Sequence, residues 1–160
     1  PTKEEVKHII SSLKNNKAPG EDSIIAELWK YASENALDKL TEILHQIWTT
    51  EKIPETWTSA LIHPLFKKGE RADVNNYRGI SLLPVTYKIL SKVLLRRAEE
   101  QLDSQLGEYQ GGFRKGHSCV EQILNLKTVL SYLKMRSKKF VVVFVDFKKA
   151  YDSIDRNTLI

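Results

Sequence analysis

The sequence predicts an α+β fold on three observations. Apolar side chains recur at helical spacing along four separate stretches. Two short runs, WTSALIHPLF and YRGISLLP, read as strands on either side of a polar, turn-rich loop. Near the end stands FVVVFVDF, residues 140–147, where six consecutive apolar residues lead into an aspartate, as in a strand buried on both faces.

The elements follow in order. Thr2 and Glu5 stand three apart, as in a capping box. Val6, Ile9, Ile10 and Leu13 follow at i, i+3, i+4 and i+7, so an amphipathic helix opens the chain. Asn15, Asn16, Pro19 and Gly20 break it. A second helical stretch is expected over residues 24–49, with Leu37, Leu40, Ile43, Leu44, Ile47 and Trp48 on one side and Pro54 closing it. The strands expected at 57–66 and 77–84 form a β-hairpin around the basic loop KKGERADVNN. A helix over residues 85–105 carries a buried stripe of Ile89, Leu90, Val93, Leu94, Ala98 and Leu102. Glycines at 107, 111, 112 and 116 mark irregular chain, and a further helix at 118–135 carries Val120, Ile123, Leu124, Leu130 and Leu133. After the buried strand, residues 148–152 turn into a following helix. The chain thus parses into a helical region at 1–56, the hairpin with its helices and glycine-rich segment at 57–136, and the start of a new sheet at 137–160, all parts of one domain.

Composition narrows the function. With 160 residues, 41% hydrophobic and 28% charged, the chain can bury the core of one globular domain. No apolar run approaches the roughly 20 residues of a membrane span. The start, PTKEEVKHII, has no signal-peptide character, so neither secretion nor a membrane partner is expected. The lack of an initiator Met points to a piece of a longer protein. One cysteine, Cys119, excludes an internal disulfide, and with His117 it makes two ligands, too few for zinc. Residues 1–61 hold 7 basic and 10 acidic side chains, whereas residues 62–160 hold 18 and 10, a net of +8. A basic portion suits a polyanion, whose counterions it releases, although a solvated surface has the same composition.

Asp146 carries the strongest chemical signal. A carboxylate at the end of a buried strand is costly unless its charge is compensated. Mg²⁺ is the natural compensator, since it takes carboxylate and phosphate oxygens together. Tyr151 follows five residues later and Asp152 six, and an aromatic at that spacing can floor a sugar pocket beside the metal. The plainer reading is that Asp146 caps the next helix; response-regulator and hydrolase folds also place acids at strand ends.

FVDFKKAYDSID resembles the first palm motif of reverse transcriptases, and its Lys149 to Asp152 form is that of the non-LTR retrotransposon and group II intron branches. The resemblance implies that Asp146 binds two catalytic Mg²⁺ ions with help from the Phe147 backbone carbonyl. It also implies that Tyr151 crowds a ribose 2′-OH and so favours deoxynucleotides. WTSALIHPLFKKGERADVNNYRGIS is similar to the fingers hairpin of non-LTR enzymes, which implies that Lys67 or Lys68, together with Arg78, grips the triphosphate. Arg78 lies within a strand, where its fork-shaped donor suits phosphate. Between the two lysines the sequence leaves the choice open. EYQGGFRKGHSCVEQI resembles the family's Gln-x-Gly-Phe-Arg-x-Gly segment, implying template and primer contacts for Gln110, Phe113, Arg114 and Lys115; His117 stands where Arg is common. NNKAPGEDSI is similar to a short N-terminal extension motif, with Glu21 and Ser23 in place of its usual Pro and Gly.

These four motifs, in order over residues 12–156, imply the fingers and first palm strand of an incomplete right-hand polymerase. Its expected partners are an RNA template, a DNA primer and deoxynucleoside triphosphates, acting in nucleus or cytoplasm. The downstream aromatic-x-Asp-Asp that would supply the other metal carboxylates is not in this chain, so the chain alone is not expected to polymerise. Two rival readings are a decayed or domesticated element that binds RNA without chemistry and a group II intron-type maturase. Intact Asp146, Tyr151 and Arg78 oppose the first, and the Asn-Tyr-Arg-Gly-Ile-Ser form opposes the second.

Overall fold

Thr2 starts α1 (Lys3–Ser11) with both halves of the capping box: its hydroxyl accepts from the Glu5 amide at 3.2 Å, and the Glu5 carboxylate accepts from the Thr2 amide at 3.4 Å. Two amides that a helix start leaves without partners are thereby satisfied. The computed structural model describes residues 1–147 and 150–159, with the side chains of Glu100, Asp152, Arg156 and Leu159 outside the described set. The chain divides into two compact units, Pro1–Gln105 and Leu106–Ile160.

In the first unit, the single helix expected over residues 24–49 is two helices, α2 (Ala26–Lys30) and α3 (Glu34–Thr50). Ser33 makes the break. Its backbone is extended and its hydroxyl accepts from the Ala36 amide at 3.3 Å, so it begins a new helix. α3 ends where Glu51 turns left-handed (φ 57°), three residues before Pro54. After the hairpin comes α4 (Val85–Asp103). The core joins Val6, Ile9 and Ile10 of α1, Leu37, Leu40, Leu44 and Ile47 of α3, and Val85, Ile89, Leu90 and Val93 of α4, with Ala26 of α2.

Only the first half of the stripe expected on α4 is buried, since Leu94 and Leu102 are exposed. α4 packs on α1. At 1.5 Å per residue α1 spans only about 14 Å against about 28 Å for α4. Arg97 ties the three helices together: its Nη2 lies 2.8 Å from Glu5 Oε2, and its guanidinium lies 4.5 Å from the centre of the Trp48 ring.

These pairs set an acid response. The hydrogen bond from Arg97 holds the Glu5 carboxyl below the usual carboxylate range, against an opposing push from burial. Hydrogen bonds from Lys3 and then Lys7 lower Glu34 from 4.5 to about 2. Carboxylates depressed in the folded state stabilise it above their unfolded value and lose that contribution as pH falls through the folded one. The melting temperature is therefore expected to fall as pH drops from about 4.5 towards 2, and the double variant E5Q/E34Q to show a flatter slope there. Circular dichroism melts across that window check it, and an equal slope in both proteins would refute it.

The hairpin forms where expected. β1 (Leu61–Phe66) and β2 (Tyr77–Leu82) pair antiparallel with Leu65 opposite Arg78 and Phe66 opposite Tyr77. Trp57 lies outside the strand, in one turn of 3₁₀ helix, Glu55–Trp57. Most residues of both strands are exposed, and a lone two-stranded ribbon is marginal in water, so its ends matter. At the base, buried Gly20 packs on the joint between β2 and α4: a β-carbon there would lie 2.5 Å from Pro84 N and 2.6 Å from Leu83 C.

In the second unit, Ser118 caps α5 (Cys119–Met135), accepting from the Glu121 amide at 3.2 Å. No residue of α5 is buried, and Val120, Ile123 and Leu124 of its expected stripe are exposed. Residues 140–147 do not form the expected buried strand: they carry no strand structure, and Val141, Val143, Phe144 and Val145 are exposed. A strand buried on both faces needs hydrogen-bonded neighbours and cover. The sheet among the described residues is β1–β2 alone, in the other unit. Lys148 and Lys149 of the expected turn lie outside the described residues. Beyond them come one 3₁₀ turn, Tyr151–Ser153, and α6 (Arg156–Leu159). The class is therefore mixed helix and strand with a small two-stranded sheet. Among the described residues no helix is long and apolar enough to cross a membrane.

Candidate functional site

The hairpin's far end is built from short-range bonds. The Lys67 amide donates to the Asn76 carbonyl at 2.8 Å, which carries the pairing one step past Phe66 and Tyr77. Gly69 has φ +94°, a region that L side chains rarely adopt, and a β-carbon there would also meet the Asn76 side chain at 2.6 Å. Asn76 Nδ2 donates to the Glu70 carbonyl at 2.9 Å, and Asp73 Oδ1 accepts from the Asn75 amide and side chain at 2.9 Å each. The Tyr77 hydroxyl donates to the Arg71 carbonyl at 3.0 Å. The Arg71 guanidinium lies 5.1 Å from the Phe66 ring centre, and that ring meets Tyr77 edge-on at 5.4 Å.

Four cations crowd this end: Lys67, Lys68, Arg71 and Arg78, all exposed. Among the described residues none of them forms an ion pair. Their charge is thus available to an anion from outside. The polar composition of the loop was legible in the sequence; Arg71 as a stacked cation was not, because only the folded loop brings it back over Phe66.

The second unit holds the other predicted residues. The Gln110 amide donates to the Gly107 carbonyl at 3.0 Å, and Arg114 Nη1 donates to the same carbonyl at 3.0 Å, so Arg114 braces the glycine-rich loop. Lys115 is exposed. Phe113 sits at φ +60° with 96% of its surface exposed. Its ring meets that of Tyr151 edge-on, with centroids 6.2 Å apart. The two lie 38 positions apart in sequence, and no periodicity announced the contact. Lys67, Lys68 and Arg78 belong to the first unit, and Gln110, Phe113, Arg114, Lys115, Asp146, Phe147 and Tyr151 to the second.

Asp146 and Phe147 are exposed. A carboxylate and the Phe147 carbonyl are hard oxygen donors, which fit Mg²⁺ in kind. They fall short in number, since Mg²⁺ takes six oxygens and no group of three or more His, Cys, Asp or Glu side chains gathers around a metal position among the described residues. Asp146 and Phe147 can supply part of a site that other donors complete.

The family profile for reverse transcriptase (RNA-dependent DNA polymerase) matches residues 66–160. Over 159 residues the chain is 33% identical to the RNA-directed DNA polymerase from mobile element jockey of Drosophila melanogaster, covering 96% of this chain and 17% of that protein. It is 29% identical to the probable RNA-directed DNA polymerase from transposon BS of the same fly, covering 98% of this chain and 18% of that protein. It is also 23% identical to the transposon TX1 uncharacterized 149 kDa protein of Xenopus laevis, covering 99% of this chain and 12% of that protein. The chain spans less than a fifth of the length of these relatives.

Proposed function

The chain belongs to the reverse transcriptase (RNA-dependent DNA polymerase) family, and from that premise we propose that it is the nucleotide-gripping part of an RNA-directed DNA polymerase of a non-LTR retroelement. The observation that carries the reading is the hairpin end, where exposed cations without ion-pair partners stand on a tightly bonded loop. The reaction joins a primer 3′-OH to the α-phosphorus of a deoxynucleoside triphosphate, with loss of the hydroxyl proton and departure of pyrophosphate. Such transfer depends mostly on positioning and charge neutralisation.

Arg78 and Lys67 hold the triphosphate. Directly opposed residues of a ladder share a face and successive residues alternate, which puts Leu65 and Arg78 on one face. The bond from the Lys67 amide to Asn76 continues that alternation and favours Lys67 over Lys68 as Arg78's companion. Asp146 and the Phe147 carbonyl would hold Mg²⁺ together with further carboxylates. When bound, the ion would supply neutralisation of the charge that develops in phosphoryl transfer. Gln110, Phe113, Arg114 and Lys115 meet the template and primer. The same reading puts the work in nucleus or cytoplasm.

Tyr151, steadied by the edge of Phe113, crowds the 2′ position of the incoming sugar. Tyr151→Ala in the full-length protein is expected to raise ribonucleotide use relative to deoxynucleotide use by about 10- to 100-fold, the worth of one steric contact in a pocket. Primer extension on an RNA template with each nucleotide type measures the ratio. An unchanged ratio removes Tyr151 from sugar selection, and the lack of any extension by the unaltered full-length protein removes the polymerase reading itself.

A further inference from the structure

We propose that Arg71 is a template contact: it takes a backbone phosphate of single-stranded RNA on the face of the hairpin opposite Arg78, an assignment that rests on the polymerase reading above. The register separates the two arginines. Leu65 and Arg78 oppose each other on one face, and Phe66 and Tyr77, one step along, occupy the other. The Arg71 guanidinium lies 5.1 Å from the Phe66 ring centre and so belongs to the Phe66 face.

The loop holds Arg71 in place before any ligand arrives. Tyr77 donates to its carbonyl at 3.0 Å, and Asn76 Nδ2 donates to the preceding carbonyl, that of Glu70, at 2.9 Å. A cation over a ring keeps its charge, and the Arg71 guanidinium makes no hydrogen bond among the described residues, so its N–H donors remain for a phosphate. The charge is also unspent. Arg97 also lies over a ring, that of Trp48, but is paired with Glu5 at 2.8 Å, whereas Arg71 forms no ion pair among the described residues. Of the two acids in the loop, Asp73 is engaged in capping Asn75, and Glu70 makes no ion pair among the described residues.

The occupant is a polynucleotide strand and not the triphosphate. A single triphosphate held on the Arg78 face has no further phosphate to offer across the ribbon, whereas a strand carries one at every residue and can pass over the other face. The Phe66 and Tyr77 rings beside Arg71 give such a strand apolar edges to lie against.

The test is fluorescence anisotropy of a labelled single-stranded oligo(U) binding to this chain over a range of KCl concentrations. Arg71→Ala is expected to weaken binding several-fold at low salt and to reduce the slope of log K against log salt by about 0.7, the loss of one phosphate contact to a single strand. Arg71→Lys is expected to restore the slope. In the full-length polymerase, Arg71→Ala is expected to raise KM for the RNA template and Arg78→Ala to raise KM for the nucleotide. A slope unmoved by Arg71→Ala in an otherwise active polymerase, or a rise in nucleotide KM in its place, overturns the assignment alone. Salt-independent RNA binding by this chain, with no extension by the unaltered full-length protein, overturns the polymerase reading and this assignment together.

Discussion

On the polymerase reading, replacing Asp146 with alanine in the full-length protein is expected to lower primer extension on an RNA template by on the order of 10³-fold or more. A metal ligand at a phosphoryl-transfer centre supplies several kcal/mol of charge stabilisation, and each 1.36 kcal/mol is a factor of ten in rate. The same substitution is expected to cost stability no more than about 0.5 kcal/mol, as at other surface positions. Asp146 is exposed, and its carboxylate makes no hydrogen bond or ion pair among the described residues. A large loss of rate with an unchanged melting curve thus separates a metal ligand from a helix cap, whose loss would lower stability by about 1 kcal/mol and leave the chemistry intact. Asp146→Asn keeps the shape and removes the charge, so it is expected to share the loss. Full activity in either variant would refute the assignment.

The largest expected effect on stability lies at Gly20. A methyl group there would sit 2.5 Å from Pro84 N and 2.6 Å from Leu83 C, both backbone atoms, which cannot rotate aside as a side chain can. Gly20 has no left-handed backbone, so the cost is steric and not conformational, unlike that at Gly69 with its φ of +94°. Gly20→Ala is expected to destabilise the first unit by about 1–3 kcal/mol and to lower its melting temperature by roughly 5–15 °C. Gly112→Ala, where nothing lies within 4 Å, is the contrast and is expected to cost little. Thermal melts of the two variants decide it, and equal melting temperatures would show that the turn carries no load at the base of the hairpin.

The Gly20 contact also gives the N-terminal extension motif a physical task. In the sequence, Pro19-Gly20 reads as a turn that ends a helix. Folded, the turn packs on the joint from which β2 passes into α4, so it bears on how the cationic hairpin is set on its helical base. Neither the closeness of Gly20 to Pro84 nor its reason is visible along the chain, since 64 positions separate them.

What the sequence determined by itself is what depends on neighbours within a few positions. The Thr2–Glu5 capping box and the apolar periodicity of α1 span only a few positions, and the two strands are legible from their own short patterns and the turn-rich loop between them, although the ladder they form reaches from Leu61 to Leu82. The family motifs are legible for the same reason, being short strings in fixed order. Ser33 was missed because the helical periodicity runs on through it, although its own hydroxyl had the chemistry to restart the helix. Tertiary structure alone decided the rest. Whether FVVVFV forms a strand depends on neighbours to bond with, which composition cannot promise. Only the folded chain shows that Arg71 lies over Phe66, that Phe113 meets Tyr151, and that α4 buries half its stripe on a helix half its length. Each of these is a meeting between residues that the chain keeps apart or a geometry that a folded loop imposes, and a local pattern carries no record of either.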